Sequence, residues 1–319
     1  MRSKALFFLM IIVLILGTGS CREKGAKFGL AQKINGVGIA LYSQGKVSQA
    51  LDRFKKATGY TPDFGFARNN AGVCYYHLGE LDLAIIEFKR AAELEPDVPE
   101  IYGNLGVALM LQNRNIEAQK MLEKAIALDS DYVLAYSNLG VLKFQEGRVK
   151  EAIDIYQRGL KINSTLDRLH HNLGEALMSE GRYQEAIKHY DQALALNPDN
   201  VKTFNNLAWA YVERGVNYED ALALANAALD KDQENGFFYD TLGWVYFKQG
   251  MFEEARQALI KAIQYQPGIP EIHYHLGEVY RWQGRYKEAL EAYGRVIGIE
   301  PYGKWADRAQ EGIWAIKGL

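Results

Sequence analysis

His171 and Glu175 stand four residues apart. That spacing puts an imidazole and a carboxylate on one face of a helix, which is half of a metal site. His170 beside them falls on a core-packing position, and no third ligand follows. His273 and His275 flank Tyr274, with Glu271 and Glu278 near in sequence, but these spacings do not make a ligand set, and His273 too falls on a core-packing position. No glycine-rich loop follows a strand, and no serine or cysteine has a base in its sequence neighbourhood. The sequence therefore predicts no catalytic residue, no metal and no cofactor. What recurs instead is binding chemistry. Asn70, Asn104, Asn138, Asn172 and Asn206 follow one another at intervals of 34 residues. A primary amide has donors and an acceptor, so it can grip a peptide group whatever that group's side chain. Beside this ladder runs an apolar row: Ile39, Val73, Val107, Val141, Glu175, Trp209, Trp244 and Glu278. A second row reads Tyr42, Tyr76, Met110, Phe144, Met178, Val212, Phe247 and Arg281, with Trp282 beyond it. Tryptophan and tyrosine are enriched among the residues that dominate binding energy.

These rows need a repeating element to hold them. Gly38, Gly72, Gly106, Gly140 and Gly174 recur every 34 residues, Ala208 holds the next beat, and Gly243 and Gly277 follow. In the unit starting at Gly65, Ala71, Gly72 and Tyr75 share one face of a first helix. Gly79 marks the turn, Ala84, Phe88 and Ala91 the inner face of a second helix, and Pro96 its end. The series repeats as Leu173, Gly174, Leu177, Gly181, Ala186, Tyr190, Ala193 and Pro198, and again as Leu242, Gly243, Tyr246, Gly250, Ala255, Leu259, Ala262 and Pro267. Glycine and alanine let the two helices cross closely, and the larger apolar residues fill the space between hairpins. All seven prolines fall between hairpins or at the start of a unit.

A self-similar period of this length specifies a solenoid in which each unit stacks on its neighbours. The pattern resembles the tetratricopeptide repeat over residues 31 to about 303. The resemblance implies an all-α, right-handed superhelical solenoid of about eight helix-turn-helix repeats. Their expected bounds are 31–64, 65–98, 99–132, 133–166, 167–200, 201–235, 236–269 and 270–303. Residues 304–319, with Trp305, Ala309, Ile313 and Ile316 on one face, read as a capping helix. Asn113 replaces a turn glycine, and asparagine tolerates the left-handed conformation. An extra residue around Gly215 to Glu219, with Ala225 in place of the usual aromatic, predicts a looser or displaced joint between units six and seven.

In such repeats the first helices line a concave surface. The resemblance therefore implies partner binding by Asn70, Asn104, Asn138, Asn172 and Asn206, and by Val73, Tyr76, Val107, Met110, Val141 and Phe144. It implies the same for Trp209, Trp244, Phe247 and Trp282. The asparagine ladder is similar to that of the repeat domain in protein O-linked N-acetylglucosamine transferases, where it grips extended peptides.

Residues 1–20 follow a different pattern. Arg2 and Lys4 precede an apolar run from Ala5 to Leu16, then Gly17, Thr18, Gly19, Ser20 and Cys21. The run is too short for a bilayer span of about 20 residues and has the form of a secretory signal. Cys21 after small residues resembles the lipidated cysteine of bacterial lipoproteins, with 21–30 as lipidated residue and spacer. Thr18 stands where leucine is usual in that signal, and an ordinary cleaved signal or an uncleaved anchor remain alternatives. Arg22 at the next position implies an outer-membrane anchor facing the periplasm. The net charge of −2 gives no basic footprint for nucleic acid. Cys74 reads as a small buried hydrophobe. The expected function is a non-catalytic, membrane-tethered adaptor of the bacterial cell envelope that binds proteins or extended peptide segments. The alternatives are a pilotin or assembly factor for type IV pilus or secretin machinery, and a regulatory subunit of a separate envelope enzyme. Self-association into a homodimer stays open.

Overall fold

A computed structural model describes residues 22–318, with side chains from Gly25 onward; Cys21 and the signal-like segment lie outside the described residues. Among the described residues there are seventeen α-helices and no strand. Consecutive helices pair as hairpins. The first four are α1 (Arg22–Ser43) with α2 (Val47–Tyr60), α3 (Gly65–His77) with α4 (Leu81–Leu94), α5 (Pro99–Leu111) with α6 (Asn115–Leu128), and α7 (Val133–Gln145) with α8 (Val149–Ile162). The next four are α9 (Asp167–Ser179) with α10 (Tyr183–Leu196), α11 (Val201–Arg214) with α12 (Tyr218–Lys231), α13 (Gly236–Lys248) with α14 (Phe252–Tyr265), and α15 (Pro270–Trp282) with α16 (Tyr286–Ile299). A last helix, α17 (Lys304–Lys317), packs on α15 and α16. The chain forms two compact units, one ending at Ser164 and the other beginning at Thr165.

One contact explains the glycine beat. A Cβ on Gly140 would stand 2.3 Å from Cε1 of Tyr156, and one on Gly174 would stand 2.5 Å from Cε1 of Tyr190. The large residue of each second helix lies flat on the bare backbone of its partner helix. Phe54, Phe88, Leu122, Leu259 and Tyr293 occupy the same place opposite Gly38, Gly72, Gly106, Gly243 and Gly277. Tyr156, Tyr190 and Tyr293 are among the largest fully buried side chains. The turns also follow the sequence: Asn113 takes φ 59° where Gly147 takes φ 75°. Pro99 and Pro270 open α5 and α15, where an amide hydrogen would have no helical partner.

Three elements depart from expectation. Residues 22–30, expected as a spacer, are the opening turns of α1. Phe28 meets the Phe64 ring edge-on at 5.2 Å and Ala31 is fully buried in the same cluster, so tertiary packing extends the helix through Gly25 and Gly29. The joint between hairpins six and seven is closed rather than loose. Ala225 faces no glycine there; Ala208 takes that place, and both alanines are fully buried in one cluster with Phe238, Leu242, Trp244 and Val245. A small residue on each helix replaces a large one against none. The extra residue is absorbed by a fourteenth residue in α11 and a turn with left-handed Gly215 and Asn217. Third, α17 does more than close an end: Trp305 reaches the aromatic cluster described below, while Ala309 and Ile316 pack with Tyr293.

Candidate partner-binding surface

Hydrogen bonds between first helices set the geometry. Asn70 Nδ2 donates to Asn35 Oδ1 at 3.1 Å, and Asn104 Nδ2 donates to Asn69 Oδ1 at 2.9 Å. In each case the residue two before one repeat glycine reaches the residue three before the preceding one. The same rung recurs as His275 Nδ1 to Asp240 Oδ1 at 2.7 Å. At Gly103 the rung position has no side chain, and the Tyr132 ring fills the space.

The asparagine ladder therefore differs from the expected clamp. Asn70, Asn104, Asn138 and Asn172 are buried, and at least the first two join neighbouring hairpins. A buried amide left without a partner would cost about 1–3 kcal/mol, which is why these amides pair. Asn206 alone of the five is half-buried, and its Nδ2 donates to Glu175 Oε1 at 3.3 Å. Val73, Val107, Val141 and Met110 are likewise buried, and for α1, α3, α5 and α7 each first helix packs on the next. Tyr76 and Phe144 keep part of their surface. Beside Tyr76, the Tyr42 hydroxyl lies 2.6 Å from His77 Nε2.

The unit beginning at Thr165 brings its aromatic residues together. Trp209 and Trp244 stack at 6.4 Å, Trp244 and Phe247 at 4.6 Å, and Trp282 meets Phe247 edge-on at 6.4 Å. Trp209 projects from α11, Trp244 and Phe247 from α13, and Trp282 from α15, whose His275 is bonded to Asp240 of α13. Trp244 is mostly buried; Trp209 and Phe247 are half-buried, and Trp282 is 61% exposed. His275 and Asp240 were not foreseen as parts of the site. The buried His275 imidazole stacks on Trp244 at 4.2 Å and meets Trp305 edge-on at 5.5 Å. Trp244 Nε1 donates to Glu213 Oε1 at 3.2 Å, and the Lys248 ammonium sits 5.0 Å over the Trp244 ring. The result is a graded surface: a locked base of Trp244 and His275, and an accessible rim of Trp209, Phe247 and Trp282. Such a surface can take an apolar or aromatic side chain, with Asn206, Glu175 and Glu213 able to bond a backbone.

Among the described residues, no three histidines, cysteines or acids converge as a metal site. His171 Nδ1 lies 2.8 Å from Thr203 Oγ1, and its Nε2 is 3.9 Å from Glu175. His170 Nδ1 lies 3.0 Å from His189 Nδ1. Burial holds His171 below the ordinary imidazole range, and burial together with the nearby His170 does the same to His189. The unfolded chain thus takes up these protons first, so stability is full above about pH 6.5 and falls as the pH drops below it. Urea midpoints should decrease from neutral pH towards pH 5.5, and His171→Gln should flatten that slope. A midpoint independent of pH over this range would contradict the assignment. Cys74 is buried and its thiol is pushed up to about 12 by that burial, which leaves it unreactive.

The comparisons with known proteins agree with this architecture. Sequence profiles of the tetratricopeptide repeat match residues 38–99, 97–165 and 241–303, and a profile described as TPR repeat matches 174–215. No curated protein matches the chain. Among solved structures, a tetratricopeptide repeat protein from Parabacteroides merdae is 19% identical, covering 79% of this chain and 98% of its own, with a TM-score of 0.60. Pseudomonas aeruginosa pilF is 19% identical over 67% of this chain and 96% of its own, at 0.59. The APC/C hetero-tetramer Cut9–Hcn1 is 16% identical over 91% of this chain and 56% of that one, at 0.65. Identities this low speak for the fold alone. Repeat profiles spanning most of the hairpins, the glycine-to-ring crossings and the paired helices point the same way: the chain is a tetratricopeptide-repeat protein.

Proposed function

We propose that this protein is a non-catalytic adaptor, tethered to the bacterial cell envelope, that captures extended peptide segments of partner proteins. The observation that carries the reading is the aromatic rim of Trp209, Phe247 and Trp282 over the fixed Trp244–His275 base. Rings held by packing lose little entropy on binding, so they contribute where flexible side chains would not. Asn206, Tyr76 and Phe144 are the remaining expected binding residues that keep exposed surface.

The tether is assigned to Cys21, on the basic start at Arg2 and Lys4, the apolar run and the small residues before the cysteine. Among the described residues no helix is long and apolar enough to cross a membrane. Arg22 favours the outer membrane, facing the periplasm. A mass spectrum of the mature N-terminal peptide should show acylated Cys21; an unmodified peptide would remove the lipid. Tethering raises the effective concentration of any partner held at the same surface without new contacts.

The binding surface is tested with partners cross-linked in cells, identified, and returned as purified segments. Trp209→Ala and Trp282→Ala should each weaken binding by about thirtyfold, the loss expected of a 2 kcal/mol contact. Circular dichroism should be unchanged, because Trp282 is exposed and Trp209 only half-buried. Binding that persists in both variants would place recognition elsewhere.

A further inference from the structure

The charge of this chain is divided unevenly. Residues 1–64 carry ten lysines and arginines against three acids, and residues 65–319 carry twenty-seven against thirty-six. Without the signal-like residues 1–20, which the tethered reading removes, residues 21–64 hold eight cations against three acids, a net +5 in a chain of net −4. The excess sits on the first hairpin. Lys27, Lys33, Lys46, Arg53, Lys55 and Lys56 are all exposed. Among the described residues no carboxylate lies in ion-pair reach of any of them.

The repeat pattern shows what is different here. In α6, α8, α10 and α16 an arginine precedes the helix and is paired with a glutamate three residues on: Arg114 with Glu117, Arg148 with Glu151, Arg182 with Glu185, Arg285 with Glu288. In α2 the corresponding residues are Lys46 and Gln49, and the first turn has no acid. The cation is kept and its partner is removed. Lys46, Gln49, Arg53, Lys56 and Tyr60 then follow one another at helical spacing on one face of α2.

The first helix adds an apolar element. Ala26, Leu30, Lys33, Val37 and Ala40 form one exposed stripe on α1, with Leu30 43% and Val37 50% exposed. The opposite side of α1, with Ala31, Asn35 and Gly38, is buried. Each later hairpin follows another hairpin in the sequence, whereas α1 follows the segment that ends at Cys21. Cations without a carboxylate partner, exposed leucine and valine, and a sequence position shortly after the apolar run meet on one hairpin.

We infer that the α1–α2 hairpin is a membrane-docking face, in which its cations contact anionic phospholipid headgroups and Leu30 and Val37 enter the interface. The inference rests on the tethered reading, because acyl chains at Cys21 would hold this hairpin at the bilayer. A lipid anchor and a basic patch reinforce each other, as two membrane signals do generally. Docking would fix the orientation at the membrane of the unit that ends at Ser164.

The test uses the full chain, purified from membranes in detergent, and co-sedimentation with vesicles. One set of vesicles contains phosphatidylglycerol in phosphatidylcholine, and the other phosphatidylcholine alone. A hairpin variant combines Lys33→Gln, Lys46→Gln, Arg53→Gln, Lys55→Gln and Lys56→Gln. A control removes the same charge from exposed sites elsewhere: Lys89→Gln, Lys120→Gln, Lys150→Gln, Lys161→Gln and Lys188→Gln. The expected result is binding to both vesicles, with at least about tenfold stronger partition into the anionic ones, falling with added salt. The hairpin variant should lose that ratio and the control should keep it. Equal binding to both vesicles by every form would overturn the docking face and leave the tether standing. Binding to anionic vesicles alone, lost in the hairpin variant, would support the face and overturn the tether. Binding to neither, or equal losses in variant and control, would overturn the docking face.

Discussion

Asp240→Ala should destabilise the unit that begins at Thr165 by about 3 kcal/mol, the range found when one member of a buried polar pair is removed. Asp240 and His275 are both almost fully buried and bond at 2.7 Å. An ionised carboxylate can only accept, so the imidazole Nδ1 carries the proton and donates. Deleting the acceptor leaves that donor without water or partner. The imidazole is also the wedge beneath Trp244, at 4.2 Å, and lies 5.4 Å from Trp209. Its release should expose both indoles and shift their emission to longer wavelength. Asp240→Asn keeps an acceptor at the same place and should cost about 1 kcal/mol, the difference between a hydrogen bond to a charged acceptor and one to a neutral acceptor. Urea unfolding of the three proteins, followed by tryptophan emission, checks the order. An alanine variant within about 0.5 kcal/mol of the parent would show that the rung is not structural.

That rung marks the limit of what the sequence discloses. The helix-turn-helix pairing and the turn residues follow from glycine and proline spacing, because each hairpin is a local unit whose periodicity is its own packing rule. The partners across hairpins are 35 residues apart, and one chemical role is filled by asparagine, aspartate or histidine in turn. A pattern of residue types cannot show that substitution. Burial of Val73, Val107 and Val141 was equally hidden. Helical periodicity identifies an apolar face, but the next helix decides whether that face is surface. Trp209 and Trp282 were legible as candidates because tryptophan is enriched among residues that dominate binding energy, one lying in the first row and the other just beyond the second. The early start of α1 was not, since Gly25 and Gly29 weaken any local helix signal and only Phe28 and Ala31 repay it through packing.

The crossing of α7 and α8 offers the sharpest test of how glycine beat and large residue depend on each other. Gly140→Ala places a methyl 2.3 Å from the Tyr156 ring, which is too close for an aromatic held on all sides. Overpacking of this kind costs about 1–3 kcal/mol, against which alanine returns up to about 1 kcal/mol of helix propensity over glycine. Tyr156→Ala alone opens a cavity and should cost about 3–5 kcal/mol. Combined, the two changes recreate the arrangement the chain already uses at Ala208 and Ala225, both fully buried. In the Tyr156→Ala background the Gly140→Ala change should therefore stabilise, by about 0.5–1 kcal/mol, because the steric penalty is gone and the propensity gain remains. A double-mutant cycle in urea should yield a coupling of about 2 kcal/mol in favour of the pair. Strict additivity would mean that the helices move apart to admit the methyl group, and that the 34-residue glycine beat is set by something other than the ring across from it.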